Sequence, residues 1–114
     1  SYLAREAAKK LNNENIFPEI IDVRILNPLY IKDIINSVKK TKRLLIVDSG
    51  WISSGFSGEL IAKVVENLEV GCLTSPPARV ALPDAPAPTS HNLEKEYYTS
   101  LDEIIFMVNK TIKK

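Results

Sequence analysis

Apolar residues recur at helical spacing near the start of the chain. They fall on one face of an α-helix, and charged residues occupy the opposite face. The apolar positions are Leu3, Ala4, Ala7, Ala8 and Leu11. This pattern predicts a helix over residues 1–12, which ends at the asparagine-rich turn that follows.

Two different strand patterns come next. Residues 19–25 alternate apolar and charged side chains, with Ile21, Val23 and Ile25 on one face, and this predicts a strand. Residues 44–47 are apolar without interruption, which predicts a strand that is buried on both faces, central and parallel to its neighbours. A further short strand is expected over residues 78–82.

Three more segments have helical spacing. The first begins near Ile31, the second begins at Gly58, and the third follows a capping box that runs from Ser100 to Glu103. Their inward positions are Ile31, Ile34, Ile35 and Val38; Leu60, Ile61, Val64, Val65 and Leu68; and Ile104, Ile105, Val108 and Ile112. Prolines exclude a helix or a central strand over residues 82–90, after which a short helix is expected near His91.

The order of strands and helices predicts an α/β fold. We expect three α/β/α layers around an open, mostly parallel sheet. A domain of this class ordinarily begins with a strand, whereas this chain begins with a helical pattern. We therefore expect the first strand to lie before residue 1, and residues 1–114 to form a single domain of a longer subunit.

Composition narrows the possible functions. Lys and Arg number 15 and Asp and Glu number 14, so a net charge of +1 gives no electrostatic basis for binding nucleic acid or an anionic membrane. The single cysteine, Cys72, excludes an internal disulfide and fits a reducing compartment. One Cys and one His also exclude the usual Cys/His zinc site.

Six short motifs occur in an order that is typical of one known family. They are Asp22-Val23-Arg24, Pro28-Leu29-Tyr30, residues 37–43, Asp48-Ser49-Gly50-Trp51 with Gly55 and Gly58-Glu59, residues 75–80, and the proline segment with Leu93-Glu94. Together they resemble the C-terminal domain of the transketolase family, in the form found in the beta subunit of the 2-oxoacid (pyruvate or branched-chain) dehydrogenase decarboxylating component. Two positions depart from that pattern: Tyr30 replaces a helix-capping Asp, and Ser49 replaces a Glu.

The resemblance implies a role in assembly within an oxidoreductase, with this domain inactive alone. Thiamine diphosphate and Mg²⁺ would be bound by other domains of the parent enzyme, so we assign no catalytic, cofactor-binding or metal-binding residue to this chain. The implied partners are an alpha-like subunit, a second beta-like subunit and the subunit-binding domain of the acyltransferase. The implied compartment is the cytoplasm, or the mitochondrial matrix in a eukaryote.

The loop over residues 48–58 is the candidate site. It follows the predicted central strand, and ligands of open α/β sheets bind at this edge. Its candidate residues are Asp48, Trp51, Gly55, Gly58 and Glu59. A subunit contact anchored by Trp51 is the favoured interpretation, because tryptophan is enriched at interface hot spots; an inward, core position for Trp51 is the alternative.

Two alternative functions remain open at this level. A flavodoxin-like module could bind a nucleotide or another anion at the same loop, although the glycine spacing matches neither phosphate-binding motif and Glu59 would repel a phosphate. The chain could also be the equivalent domain of a transketolase-type or 2-oxoacid:ferredoxin oxidoreductase enzyme. The segment over residues 83–94 favours the dehydrogenase by resemblance.

Overall fold

A computed structural model describes residues 2–21, 23, 31–48, 56–81 and 90–112, with the backbone alone for residues 2, 56, 81 and 90–99. The elements, in chain order, are α1 (Tyr2–Asn12), α2 (Lys32–Thr41), β1 (Leu45–Asp48), α3 (Phe56–Glu66), β2 (Ala78–Ala81) and α4 (Ser90–Ile112). Helices and strands alternate through the middle of the chain, as expected for an α/β domain.

The two strands pair in parallel and are connected through α3. The register runs from Leu45 opposite Ala78 to Asp48 opposite Ala81. The amide of Ala78, the first residue of β2, donates to the carbonyl of Leu44, just before β1, at 3.1 Å. The parallel pairing predicted for the apolar strand is confirmed. Its central position stays a prediction, because β2 is its only neighbour among the described residues.

Alternate residues of β1 face opposite helical layers. Ile46 packs with α2 and α3, whereas Leu45 and Val47 pack on the side of α1 and α4. The buried residues of the first cluster are Ile34, Val38, Leu44, Ile46, Leu60 and Val64, and those of the second are Ala7, Val80, Leu101 and Ile104. The sheet therefore lies between two layers of helices, because neighbouring side chains of a strand point to opposite faces.

The ends of α2 differ in how they are capped. Its N-cap residue, Ile31, makes no side-chain capping hydrogen bond. The helix ends at Lys42, whose backbone adopts the left-handed conformation at φ 64° while its amide donates to the carbonyl of Val38. A non-glycine residue in this conformation carries a steric cost.

The strand predicted over residues 19–25 is wrong for the residues that the structure describes. Residues 19–21 and 23 belong to no strand, and Ile20 and Ile21 are 40% and 41% exposed. The alternating pattern is local, but a strand also needs a neighbour for its backbone hydrogen bonds, and β1 and β2 pair only with each other within the described ranges.

Two helix predictions also need correction. Helix α4 runs without a break from Ser90 to Ile112, so Ser100 lies inside it and starts no new helix. Residues 90–99 contain neither proline nor glycine, so nothing in their sequence interrupts a helix that has already begun. Helix α3 begins at Phe56, before Gly58, and its Val65 is 43% exposed where an inward position was predicted. None of the described helices is long and apolar enough to cross a membrane.

Candidate functional site

The candidate residues that the structure describes lie at the carboxyl edge of the sheet. Asp48 is the last residue of β1 and is half-buried, and Gly58 and Glu59 lie near the amino-terminal end of α3. Chain order places them together, because α3 starts where the loop after β1 ends. Trp51 and Gly55 lie outside the described residues.

A hydrogen bond joins β2 to the beginning of α3 at this edge. Nη1 of Arg79 donates to Oγ of Ser57 at 3.3 Å, and Ser57 is only 5% exposed. Val80, the next residue of β2, is buried on the side of α1 and α4. Arg79 therefore faces the α3 side, and it ties the two segments that flank the candidate loop.

Arg79 was not among the predicted site residues, and Ser57, although it lies in the candidate loop, was given no role there. The only sequence signal for Arg79 was its place in one of the six motifs. No local pattern could link it to Ser57, because the two residues are 22 positions apart. A Cβ added at Gly58 would lie 3.5 Å from Nη1 of Arg79, which is an ordinary contact distance. The packing around Gly58 therefore leaves room for a Cβ at this position.

Glu59 forms a loose ion pair along its own helix. Oε1 of Glu59 lies 3.8 Å from Nζ of Lys63, and both side chains are about half exposed or more. A pair of this kind contributes little to stability, but the carboxylate interacts favourably with the positive end of the helix dipole. The same charge disfavours a phosphate at this position.

A second polar cluster lies away from this edge, where the segment after α1 crosses α2. The Glu19 carboxylate accepts a hydrogen bond from Oγ of Ser37 at 2.7 Å and pairs with Nζ of Lys40. The Lys40 bond, and then the Ser37 bond, lower the pKa of Glu19 below its ordinary value. These three residues line an open groove of 460 Å³ together with Ile21, Asp33 and Asn36. Sequence reasoning missed this cluster, since no local pattern links Glu19 to α2.

Potential metal ligands are dispersed in the described part of the chain. Within those residues, no three side chains of His, Cys, Asp or Glu lie close enough together to hold an ion.

Comparison with known protein families identifies the family of the chain. The model of the transketolase C-terminal domain matches residues 1–104. The chain belongs to this family.

Individual relatives are pyruvate dehydrogenase E1 component beta subunits. The chain is 43% identical to that of Rickettsia felis over 108 residues, which is 95% of this chain and 33% of the relative. It is 36% identical to the mitochondrial subunit of Bos taurus over 107 residues, which is 94% of this chain and 30% of the relative. The chain thus spans about a third of the length of the curated relatives it matches, and the resemblance seen in its motifs is confirmed.

In this transketolase C-terminal domain, the described motif residues make structural contacts. Nε of Arg43 donates to the carbonyl of Thr111 at 3.4 Å, which joins the segment just before β1 to the end of α4. Oγ1 of Thr41 donates to the carbonyl of Ser37 at 3.0 Å, within the last turns of α2. The Arg43 contact, like the one between Arg79 and Ser57, holds a helix to the sheet region, whereas the Thr41 contact lies within α2.

Proposed function

We propose that residues 1–114 act as the assembly and docking domain of a beta-like subunit in a thiamine-diphosphate-dependent 2-oxoacid dehydrogenase. The observation that carries this proposal is the match to pyruvate dehydrogenase E1 beta subunits over 94–95% of the chain. The domain would contribute to subunit association and to docking of the acyltransferase, and the chemistry would belong to the rest of the enzyme.

The proposal assigns cofactors and partners to the parent enzyme. Thiamine diphosphate and Mg²⁺ are bound by its other domains, and no residue of this chain is given a catalytic, cofactor-binding or metal-binding role. The partners are an alpha-like subunit, a second beta-like subunit and the subunit-binding domain of the acyltransferase. The enzyme works in the cytoplasm, or in the mitochondrial matrix of a eukaryote.

The loop over residues 48–58 is the proposed contact surface, with Asp48, Trp51, Gly55, Gly58 and Glu59 as its residues. Its first residue is fixed by pairing in the sheet, and at its other end residues 56–58 belong to α3, where Arg79 holds Ser57. A loop fixed at both ends loses less conformational freedom when a partner binds, which favours affinity. Trp51 supplies a large apolar side chain of the kind that dominates interface energies.

A chimeric subunit tests the proposal. The matching region of the Rickettsia felis beta subunit is replaced by residues 1–114, and association with the alpha subunit of that organism is measured by size-exclusion chromatography with light scattering. We expect the chimera to assemble, and Trp51→Ala to weaken assembly by about tenfold or more. The matched control is Phe106→Ala, an aromatic position on α4 that is 65% exposed. A folded chimera that stays unassembled contradicts the proposal.

Anion binding at the same edge is the second candidate function. Arg79 brings a guanidinium group to the beginning of α3, a combination that attracts anions, although Glu59 opposes it. The discriminating measurement is the melting temperature of the chain in increasing concentrations of inorganic phosphate and of ADP. A ligand of the folded state raises this temperature as its concentration exceeds the dissociation constant, whereas an assembly domain does not respond.

A further inference from the structure

Arg79 brings an exposed guanidinium group to the carboxyl edge of the sheet. The residue is exposed, although Val80, which follows it in β2, is buried. Within the described part of the chain, the bond that Nη1 donates to Oγ of Ser57 is the only hydrogen bond of this group. A guanidinium group has five N–H donors, so most of its donors remain available to another molecule.

Two contacts fix the place of this group. Ser57 is only 5% exposed, so the hydroxyl that accepts the bond is itself held by packing at the beginning of α3. Nη1 also lies 3.5 Å from the position that a Cβ of Gly58 would occupy, which sets it against the same turn of the helix. A long side chain ordinarily loses rotamer freedom when it binds, and a side chain that is already held loses less.

The chemistry of the guanidinium group favours a carboxylate as its partner. Its parallel N–H donors match the two oxygens of a carboxylate, and arginine is enriched among the residues that dominate interface energies. The carboxylates of Asp48 and Glu59 lie at the same edge. They repel a phosphate, which carries more than one negative charge, more strongly than they repel a singly charged carboxylate.

We propose that Arg79 is an anchor of the subunit interface and binds the carboxylate of an Asp or Glu side chain on a neighbouring subunit of the parent enzyme. Ser57 positions the guanidinium group for this bond. The inference rests on the proposed function, because it takes the loop over residues 48–58, to which Ser57 belongs, as the contact surface. It adds the chemistry of the partner group and extends the contact surface to β2.

Association of the chimeric subunit with the alpha subunit tests the inference. The dissociation constant is obtained from light scattering over a range of protein concentrations. We expect Arg79→Gln, whose amide can still donate to Ser57, to weaken association by about thirtyfold or more. Arg5→Gln is the matched control, because Arg5 is an exposed arginine on α1, and it should change affinity by less than about twofold. Unchanged affinity in Arg79→Gln overturns the inference, and so does an equal loss in both variants.

Two further variants separate binding from folding. Arg79→Lys keeps the charge but loses the parallel donors, and it should weaken association by about tenfold; it also carries the test if Arg79→Gln fails to fold. Ser57→Ala keeps the guanidinium group but removes the contact that positions it, and it should weaken association by about threefold or more. If affinity falls only in variants whose melting temperature also falls, Arg79 has a structural role and the inference is wrong.

A double-mutant cycle identifies the partner carboxylate. Acidic surface residues of the alpha and beta subunits are replaced one at a time by the corresponding amide, and each replacement is combined with Arg79→Gln. For the bound carboxylate, the combined loss of affinity should be at least about tenfold smaller than the product of the two single losses. Losses that multiply at every position contradict the inference.

The remaining outcomes distinguish this inference from the other proposals. If inorganic phosphate raises the melting temperature of the chimeric subunit and Arg79→Gln abolishes that rise, the group binds a small anion and the inference is overturned. A chimera that assembles equally well with Arg79→Gln refutes the inference alone. A folded chimera that never assembles refutes the proposed function, and the inference with it.

Discussion

Replacing Lys42 by glycine is expected to stabilise the domain. Lys42 ends α2 in the left-handed conformation, at φ 64°, and its side chain is exposed. Its backbone is held from both sides: the amide donates to Val38 at 2.6 Å, and the carbonyl accepts the amide and the hydroxyl of Thr74 at 2.9 and 3.2 Å. The surrounding structure thus imposes a conformation that glycine adopts without steric cost.

The magnitude follows from two opposing terms. In the left-handed conformation, a residue with a Cβ destabilises the folded state by roughly 1–2 kcal/mol. Glycine destabilises it by about 0.4–1 kcal/mol, because glycine loses more conformational entropy on folding. The free energy of unfolding of the Lys42→Gly variant should therefore exceed that of Lys42→Ala by about 0.5–1 kcal/mol. This difference corresponds to a rise of about 2–5 °C in melting temperature for a domain of this size.

Thermal unfolding followed by circular dichroism measures this difference. Lys42→Ala is the matched control, because it removes the same charge near the helix end but keeps a Cβ. Asn15, also at φ 64°, provides a second comparison. Asn15→Gly should raise the melting temperature by less, because asparagine tolerates this conformation. If Lys42→Gly is no more stable than Lys42→Ala, Lys42 does not hold the left-handed backbone on which the reasoning rests.

The remaining predictions concern the core and the cluster on α2. Val64 is fully buried, so Val64→Ala should cost about 2–3 kcal/mol in urea unfolding. Val70→Ala, at a fully exposed position, should change stability by less than about 0.5 kcal/mol, and equal losses would contradict the packing. Lys40 and Ser37 lower the pKa of Glu19, so the ionised carboxylate stabilises the folded domain. This stabilisation is present above the ordinary pKa of 4.5 and is lost as pH falls through the lowered pKa. Glu19→Gln should therefore destabilise the domain near neutral pH and not in acid, and a loss independent of pH would refute this origin.

Helix and strand positions were predictable where the pattern is local and strong. The apolar spacing around Leu11, Val38 and Val64 marks α1, α2 and α3, and each of these residues is buried. The predictions failed where the outcome depended on more than the local pattern. Alternation over residues 19–25 lacked a neighbouring strand among the described residues, and the capping pattern at Ser100 lies within a continuous helix.

The candidate site was predictable only in part. Chain order and the rule for parallel sheets placed Asp48, Gly58 and Glu59 at one edge. The link from Arg79 to Ser57 was not predictable in the same way, because it depends on which face of β2 each residue occupies beside α3. Trp51 and Gly55 keep their predicted roles as hypotheses.

The sequence by itself determined most of the helices and the paired strands, the α/β class and the family, because apolar periodicity and short motifs are properties of neighbouring residues. The tertiary structure decided which distant groups meet. Glu19 reaches α2 across 18 positions, and Arg43 reaches the end of α4 across 68. It also decided that Phe17, Ile20 and Ile21 remain exposed, since burial depends on what packs against a segment and not on its hydrophobicity alone.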